Sequence, residues 1–267
     1  MKPTDELYRS LETAYQYFNR ELFEQILPPV VFTLQRQKGT LGYFVPDRWI
    51  SPVGDFCHEI SINPAHMGAS RVIDVFQTLV HEMVHCWQFC HGDSPSNKGY
   101  HNKEWAYKMM SLGLQPSSTG EPGGSIVGYQ MSDYIIEDGL FQKSCYGLIK
   151  KRDFQIPWIY RLTYSGDIDK DDSPKTIEPH APLKNSPSME VAVILDEISP
   201  DITGKLNPEE YLYSTYKDLM PNEAFFSQPT KKNTKAKYQC PSCSINAWAK
   251  PNVRLMCMEC DLELLSL

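Results

Sequence analysis

The sequence lacks any apolar run long enough to cross a membrane. Its longest aliphatic stretch runs from Val191 to Leu195, whereas a membrane helix needs roughly 20 apolar residues. The first residues, MKPTDELYRS, also lack the apolar segment of a secretory signal. These absences predict a protein that is neither secreted nor membrane-spanning, with no membrane partner.

The sequence has few cysteines outside one motif. Four of its eight cysteines have no regular spacing: Cys57, Cys86, Cys90 and Cys145. A chain of 267 residues does not need disulfides to hold a core, so we expect these four to be free thiols in a reducing compartment. This predicts a cytoplasmic protein.

Acidic residues are absent between Gln228 and Met256, although the whole chain has a net charge of −7. Five lysines and one arginine lie in that stretch, whereas residues 167–210 carry eleven acidic residues against four lysines. The net negative charge argues against a protein that binds nucleic acid over its whole surface, because such a protein would be basic along its whole length. The C-terminal segment, however, is locally basic.

Apolar residues at helical spacing predict helices over residues 5–24, 72–89 and 103–112. Short apolar runs at 30–34, 42–45 and 59–62 predict three strands between the first two helices. We expect the third of these strands, which ends before Pro64, to lie at the sheet edge, where an extended peptide can pair with it. The order predicts an α+β fold.

The helix predicted over residues 72–89 contains the motif HEMVH. His81 and His85 lie one helical turn apart, so both imidazoles can bind one Zn²⁺. Glu82 is rotated by about 100° from His81, which suits a general base acting on a metal-bound water. The motif is short, but polar groups on an otherwise apolar helix indicate a function.

A catalytic zinc needs a third ligand, and both His91 and His101 are candidates. His91 would require a glycine three residues after His85 to break the helix, but Gln88 stands there. His101 lies just before the next predicted helix, after a loop long enough to turn back. The spacing therefore favours His101.

These motifs together resemble the SprT-like family of zinc metallopeptidases. The resemblance rests on AYQYFNRELF, LPPVVFTLQ, HEISINP, HEMVH, the segment GYHNKEW and the C-terminal KYQCPSC and CMEC. It implies a small gluzincin-like domain in which His101 completes the catalytic zinc site. It also implies kinship with proteases that clear proteins crosslinked to DNA.

Three further residues near these motifs are candidates for supporting roles. Glu104 is expected to cap its helix or to hydrogen-bond a metal ligand. Tyr129 and Tyr134 are candidates for stabilising an oxyanion, although tyrosine more often packs in a core.

The C-terminus carries two CxxC pairs at the spacing of a zinc ribbon. Cys240, Cys243, Cys257 and Cys260 are predicted to hold a structural Zn²⁺ with no open position. Basic and aromatic residues around them suit phosphate contact and base stacking, which predicts DNA as a partner: Lys231, Lys232, Lys235, Lys237, Trp248, Lys250 and Arg254.

The sequence thus predicts three parts: a metallopeptidase domain over residues 1–140, an irregular acidic connector over 141–235, and a zinc ribbon over 236–267. We expect a zinc-dependent enzyme that hydrolyses peptide bonds, with DNA-associated or DNA-crosslinked proteins as candidate substrates. The alternative is a non-enzymatic adaptor that binds nucleic acid and uses both zinc ions structurally. An intact Glu82 favours the enzyme, since an adaptor does not need it.

Overall fold

The computed structural model describes residues 2–37, 39–94, 96, 99–152, 154–163, 206–221, 226–227 and 235–266. The chain divides into two compact units, residues 1–227 and residues 228–267. Helices and short sheets alternate along the chain, which makes the fold α+β, as predicted. Among the helices of the described ranges, none combines the length and apolar character that a membrane span requires.

The first unit contains seven helices and nine strands within its described residues. In chain order they are α1 Pro3–Leu22, β1 Val30–Leu34, β2 Gly42–Ile50, β3 Phe56–Ile62, α2 Pro64–Met67, α3 Val72–His91, β4 Tyr100–His101, α4 Lys103–Leu112, β5 Leu114–Ser117, β6 Gly128–Tyr129, β7 Ser132–Ile135, α5 Leu140–Arg152, β8 Leu162–Thr163, α6 Pro208–Tyr213, α7 Tyr216–Leu219 and β9 Phe226–Ser227.

Helix α1 confirms the first predicted helix, with bounds two residues earlier. Pro3 occupies the first helical position, which its fixed φ suits, and Asp5 and Glu6 lie in the first turn, where acids favour the helix dipole. The side chain of Asn19, in the last turn of α1, donates to the Leu27 carbonyl at 3.0 Å and accepts the Leu27 N–H at 3.1 Å. This fixes the turn into β1.

Strand β3 lies in the middle of the main sheet, parallel to β1 on one side and antiparallel to β2 on the other. The prediction that it forms the sheet edge is therefore wrong, and Ser61 of this strand is buried. Glu59 of the same strand is also buried, and its carboxylate accepts hydrogen bonds from three side chains: Thr33, Tyr43 and Trp49. Within the described residues, β1 and β2 are the edges.

Helices α1, α3 and α5 meet in the main core. The ring of Phe18 in α1 packs edge-to-face on Phe76 of α3, with centroids 5.5 Å apart, and stacks on Phe141 of α5 at 6.2 Å. All three rings are almost fully buried. Helix α3 also contacts β2 and β3, so the helix that carries HEMVH is held by both the sheet and its neighbouring helices.

The first unit continues past residue 140, where the sequence predicts an irregular connector. Helix α5 and the segment with α6 and α7 add buried side chains to the same core: Phe141, Cys145, Leu148, Tyr211, Leu212 and Tyr216. The backbone of α7 also bonds the turn before α3, from Lys217 N–H to Gly68 O at 3.0 Å. The predicted connector is thus corrected at both ends, because these apolar faces need a core to cover them. Residues 164–205 lie outside the described residues.

The second unit is a small β structure with its own core. Its strands are β10 Ala236–Gln239, β11 Asn246–Ala249, β12 Met256–Cys257, β13 Leu262–Glu263 and β14 Leu265–Ser266. Strand β10 pairs with β11 and β14, while β12 pairs with β13. Four buried residues form the centre: Tyr238, Cys240, Cys257 and Leu264. So few buried side chains give little apolar stabilisation, as is usual in domains that depend on a metal.

Candidate metal centre

Helix α3 places His81 and His85 on one face, because residues four apart are separated by one turn. Their ring centroids lie 5.2 Å apart. The start of the helix is fixed by Asp74, whose carboxylate accepts the backbone N–H of Arg71 at 2.9 Å and its guanidinium at 2.7 Å. Most other side chains of α3 are buried in the core, so the two imidazoles are set in a rigid element.

His101 reaches the same place from a two-stranded ribbon. It lies on β4, opposite Gly128 of β6, and its ring Nδ1 is 3.2 Å from the Gly128 carbonyl, to which it donates. The next residue, Asn102, caps α4 by accepting the N–H of Trp105 at 3.1 Å. The strand pair and the helix cap on either side therefore fix the His101 ring.

The three histidines are arranged as a metal ligand set would be. One ring nitrogen from each lies within 4.8 Å of the others, and the Nε2 atoms of His85 and His101 are 3.1 Å apart. Tetrahedral Zn²⁺ with Zn–N bonds of about 2.0–2.1 Å would separate such nitrogens by roughly 3.3 Å. The donor set and its spacing therefore fit zinc.

Asp133, at the edge of this cluster, is a residue that the motif does not contain. Its Oδ2 lies 2.9 Å from His81 Nδ1, and its side chain is 6 % exposed. The Gln77 amide donates both to Asp133 Oδ1 and to the Asp133 carbonyl, each at 2.8 Å. Because Asp133 occupies Nδ1, the Nε2 of His81 is the nitrogen left for a metal.

The indole of Trp105 packs against all three rings. It is fully buried, with its centroid 4.3 Å from His101, 4.9 Å from His81 and 5.5 Å from His85, on which it stacks at 22°. Its Nε1 has no hydrogen-bond partner among the described residues. Trp105 therefore restricts the orientation of every candidate ligand.

Glu82 lies beside the histidines and is 6 % exposed. Burial raises the pKa of its carboxyl to about 7; the charge on His81 and a hydrogen bond from the Phe44 N–H lower it, whereas Asp133 raises it. Strand β2 passes close by, since a Cβ added to Gly42 would come within 3.4 Å of Glu82 Cγ. The Glu82 carboxylate thus lies beside the edge strand β2, and its carboxyl stays protonated to a higher pH than that of an exposed glutamate.

Burial also governs the titration of the histidines. It lowers the pKa of His85 well below its usual range, aided by the nearby His81 and His101, and it lowers the pKa of His101 to about 4. Burial lowers the pKa of His81 as well, but the hydrogen bond to Asp133 and the charge of Glu82 outweigh it and raise the value overall. His85 and His101 therefore stay neutral at pH 7, the form that binds metals.

Comparison with known families agrees with this geometry. The profile of the SprT-like family matches residues 11–120, which include the HEMVH helix and His101. This stretch of the chain is therefore similar to the SprT-like family. Asp133 lies beyond the matched SprT-like region.

Among curated proteins, the chain resembles an uncharacterized protein in the mucB 3' region of Salmonella typhimurium. The two are 54 % identical over 41 residues, which make up 15 % of this chain and 55 % of that protein. The chain therefore spans about half the length of the curated relative. No solved structure matches.

Glu104, three residues after His101, takes neither of its predicted roles. Asn102 provides the helix cap, and no contact joins Glu104 to a histidine of the cluster. Instead, its carboxylate accepts the Gln88 amide at 3.0 Å and the backbone N–H groups of Asp93 and Ser94, at 2.6 and 3.2 Å. Glu104 thus fastens the loop after α3 to the helix that follows His101.

The two candidate tyrosines lie on different strands. Tyr129 stands opposite Tyr100 in the β4–β6 pair, 5.1 Å between ring centroids, and is 66 % exposed. Tyr134 follows Asp133 on β7 and pairs with Gln115. Since neighbouring strand residues point to opposite faces, Tyr134 is directed away from the face that Asp133 presents to His81.

In the second unit, the four motif cysteines come together. Their sulfur atoms lie within 4.8 Å of one another, and Cys243 Sγ is 3.7 Å from Cys257 Sγ. Tetrahedral zinc with Zn–S bonds of about 2.3 Å would separate sulfurs by roughly 3.8 Å. A hydrogen bond from the Cys243 N–H lowers the pKa of Cys240 to about 7. The Cys₄ set fits a closed, structural zinc.

The residues predicted to contact nucleic acid differ in how accessible the structure leaves them. Trp248 is 63 % exposed and lies directly opposite Lys237 in the β10–β11 pair, and Lys235 and Lys250 are exposed. Arg254 is already paired with Glu263, from Nε to Oε1 at 2.8 Å, which reduces its value for phosphate contact. The predicted contacts Lys231 and Lys232 lie outside the described residues.

Proposed function

We propose that this protein is a zinc-dependent peptidase whose centre is formed by His81, His85 and His101, with Glu82 as general base. The observation that carries the proposal is the convergence of three histidine nitrogens beside a buried carboxylate within a SprT-like region. A site built only to hold the fold needs no proton acceptor next to its metal. The neighbouring carboxylate therefore favours an enzyme.

The residues of this centre divide the chemistry between them. The three histidines would hold Zn²⁺ with one coordination position open, and the bound ion would supply Lewis-acid polarisation of the scissile carbonyl. Glu82 would accept the proton of the attacking water and deliver it to the leaving amine, a role supported by its buried place beside the three histidines. The Phe44 N–H keeps the carboxylate aimed during both transfers.

We further propose that the substrate is an extended peptide lying along β2. Support comes from the sheet order, which makes β2 an edge strand within the described residues, and from the approach of Gly42 to Glu82. A peptide added to this edge would hydrogen-bond through its main chain. Sequence specificity would then be weak, as suits a protease that acts on varied proteins.

For the second unit we propose binding to single-stranded DNA, which would direct the peptidase to DNA-associated proteins. The supporting observation is the exposed indole of Trp248 beside Lys237, since an aromatic face flanked by a lysine can stack a base and contact its phosphate. Trp248→Ala should weaken DNA binding by about tenfold, as expected for the loss of one stacked base. Ile245→Ala, also at an exposed apolar residue of the ribbon, is the matched control.

The test of the enzyme is cleavage of casein and of a DNA-bound protein by wild type and Glu82→Gln, with and without single-stranded DNA. We expect wild type to cleave, Glu82→Gln to lose cleavage while retaining two zinc ions per chain, and DNA to raise the rate on the DNA-bound protein. Two zinc ions without Glu82-dependent cleavage would contradict the peptidase and favour the nucleic-acid-binding adaptor.

A further inference from the structure

His81 differs from His101 in the partner of its second nitrogen. His101 donates its Nδ1–H to a backbone carbonyl, whereas the Nδ1 of His81 faces the buried carboxylate of Asp133 at 2.9 Å. A histidine that binds a metal through one nitrogen usually donates the other N–H to such an acceptor, which fixes its tautomer and ring plane. Asp133 is placed to do this for His81.

Asp133 is itself held in position from α3. The Gln77 amide group directs its two N–H bonds at Asp133, one to the carbonyl and one to Oδ1, each at 2.8 Å. Gln77 lies one turn before His81 on the same helix, so the acceptor and the ligand share one rigid support. With Oδ1 occupied by Gln77, only Oδ2 of Asp133 faces the imidazole.

We propose that Asp133 is a positioning residue that holds His81 with Nδ1 protonated and Nε2 free for the metal, and that Gln77 sets the orientation of Asp133. The inference rests on the metal centre of the proposed function but not on peptide hydrolysis. It places one determinant of metal affinity on β7, thirteen residues beyond the SprT-like match.

Replacement of Asp133 by asparagine gives a specific prediction. The Gln77 N–H requires an oxygen, so the asparagine carbonyl takes the place of Oδ1 and its NH₂ group faces His81. An NH₂ group there donates to Nδ1, which places the imidazole proton on Nε2 and blocks the nitrogen that should bind zinc. Asp133→Asn should therefore weaken zinc binding at the histidine site by about 10–100-fold, the usual effect of losing such a partner.

The same geometry predicts a rescue. In the double variant Gln77→Ala with Asp133→Asn, nothing holds the asparagine oxygen away from His81, so the amide can turn and accept the Nδ1–H. Zinc affinity should then recover by several-fold over Asp133→Asn alone. A role limited to packing or folding would make the double variant worse than either single variant, so the recovery is specific to tautomer control.

The experiment measures zinc affinity by chelator competition on the full chain, with the Cys₄ site of the second unit as the internal reference. Glu137→Gln, an exposed charge removal four residues from Asp133, is the matched control and should equal wild type. Circular dichroism and thermal unfolding of the metal-free variants check the fold, and ¹H–¹⁵N correlation spectra of the imidazoles report the His81 tautomer.

The outcomes separate this inference from the proposed function. If wild type binds only the ribbon zinc, the histidine centre itself is wrong. If wild type binds two zinc ions and Asp133→Asn binds them equally well, the positioning role is overturned while the centre stands. Weakened binding in Asp133→Asn, with an Nε2-protonated His81 and recovery in the double variant, supports the proposal.

Discussion

Phe141 is the residue whose removal best tests how far the first unit extends. It begins the buried face of α5, is fully buried, and stacks on Phe18 at 6.2 Å. Truncation of such a phenylalanine to alanine costs about 3–5 kcal/mol through lost apolar burial and the cavity left behind. Leu140 precedes it and is 55 % exposed, so Leu140→Ala should change the unfolding free energy by no more than about 0.5 kcal/mol.

The assay is urea unfolding of both variants and wild type at the same zinc concentration, since bound metal adds to stability. With an m-value of about 3 kcal/mol/M, Phe141→Ala should lower the midpoint by roughly 1–1.7 M, and Leu140→Ala should leave it unchanged. If the two variants unfold together, α5 is not part of the core, and the domain boundary predicted at residue 140 would be restored.

Three further predictions concern the two metal centres. Gly42→Ala places a Cβ 2.8 Å from the Ser61 carbonyl and 3.4 Å from Glu82 Cγ, so we expect a loss of about 1–3 kcal/mol of stability and slower cleavage at unchanged zinc content; wild-type rates would contradict this. Cys257→Ser should remove one zinc per chain and unfold only the second unit, seen as collapsed amide shifts for residues 235–266 in NMR spectra. The pKa of His101, about 4 in the folded state, lies below the ordinary value of about 6.5, so the unfolded chain binds more protons between these pH values. Relative to His101→Gln, the metal-free wild type should therefore lose up to about 3 kcal/mol of stability between pH 6.5 and pH 4, a difference that thermal unfolding of both proteins across this pH range measures.

The sequence predicted well those features that depend on local spacing. The helical period located α1, α3 and α4, and therefore the shared face of His81 and His85, because residues one turn apart in a helix are neighbours whatever surrounds them. The spacing of the CxxC pairs was similarly sufficient to predict the cysteine cluster.

Features that depend on which elements meet were not predictable in this way. The central position of β3 follows from its pairing with both β1 and β2, and strand order leaves no local signal. Asp133 approaches His81 only through the placement of β7. In similar chains, an aspartate in a strand-like stretch just after the motifs is a candidate partner for a ligand histidine.

Helix α5 was overlooked although its apolar residues Phe141, Cys145 and Leu148 have helical spacing. Gly147 weakened the pattern, since glycine disfavours helices. The structure gives the reason for it: a side chain at this position would collide with the Tyr17 hydroxyl of α1, so glycine leaves room for the end of that tyrosine. A glycine that looks like a helix breaker can instead mark a tight helix contact.

The return of α6 and α7 to the core has a consequence for synthesis on the ribosome. Among the described residues, Tyr211, Leu212 and Tyr216 complete a core whose other buried members all precede residue 160, so the nascent first unit exposes the apolar surface that they cover until that segment emerges. At about 5–20 residues per second, the stretch of roughly 65 residues between α5 and α7 takes several seconds to translate. During that interval the HEMVH helix is present in the nascent chain while part of its supporting core is missing, so chaperone engagement should concentrate in this window.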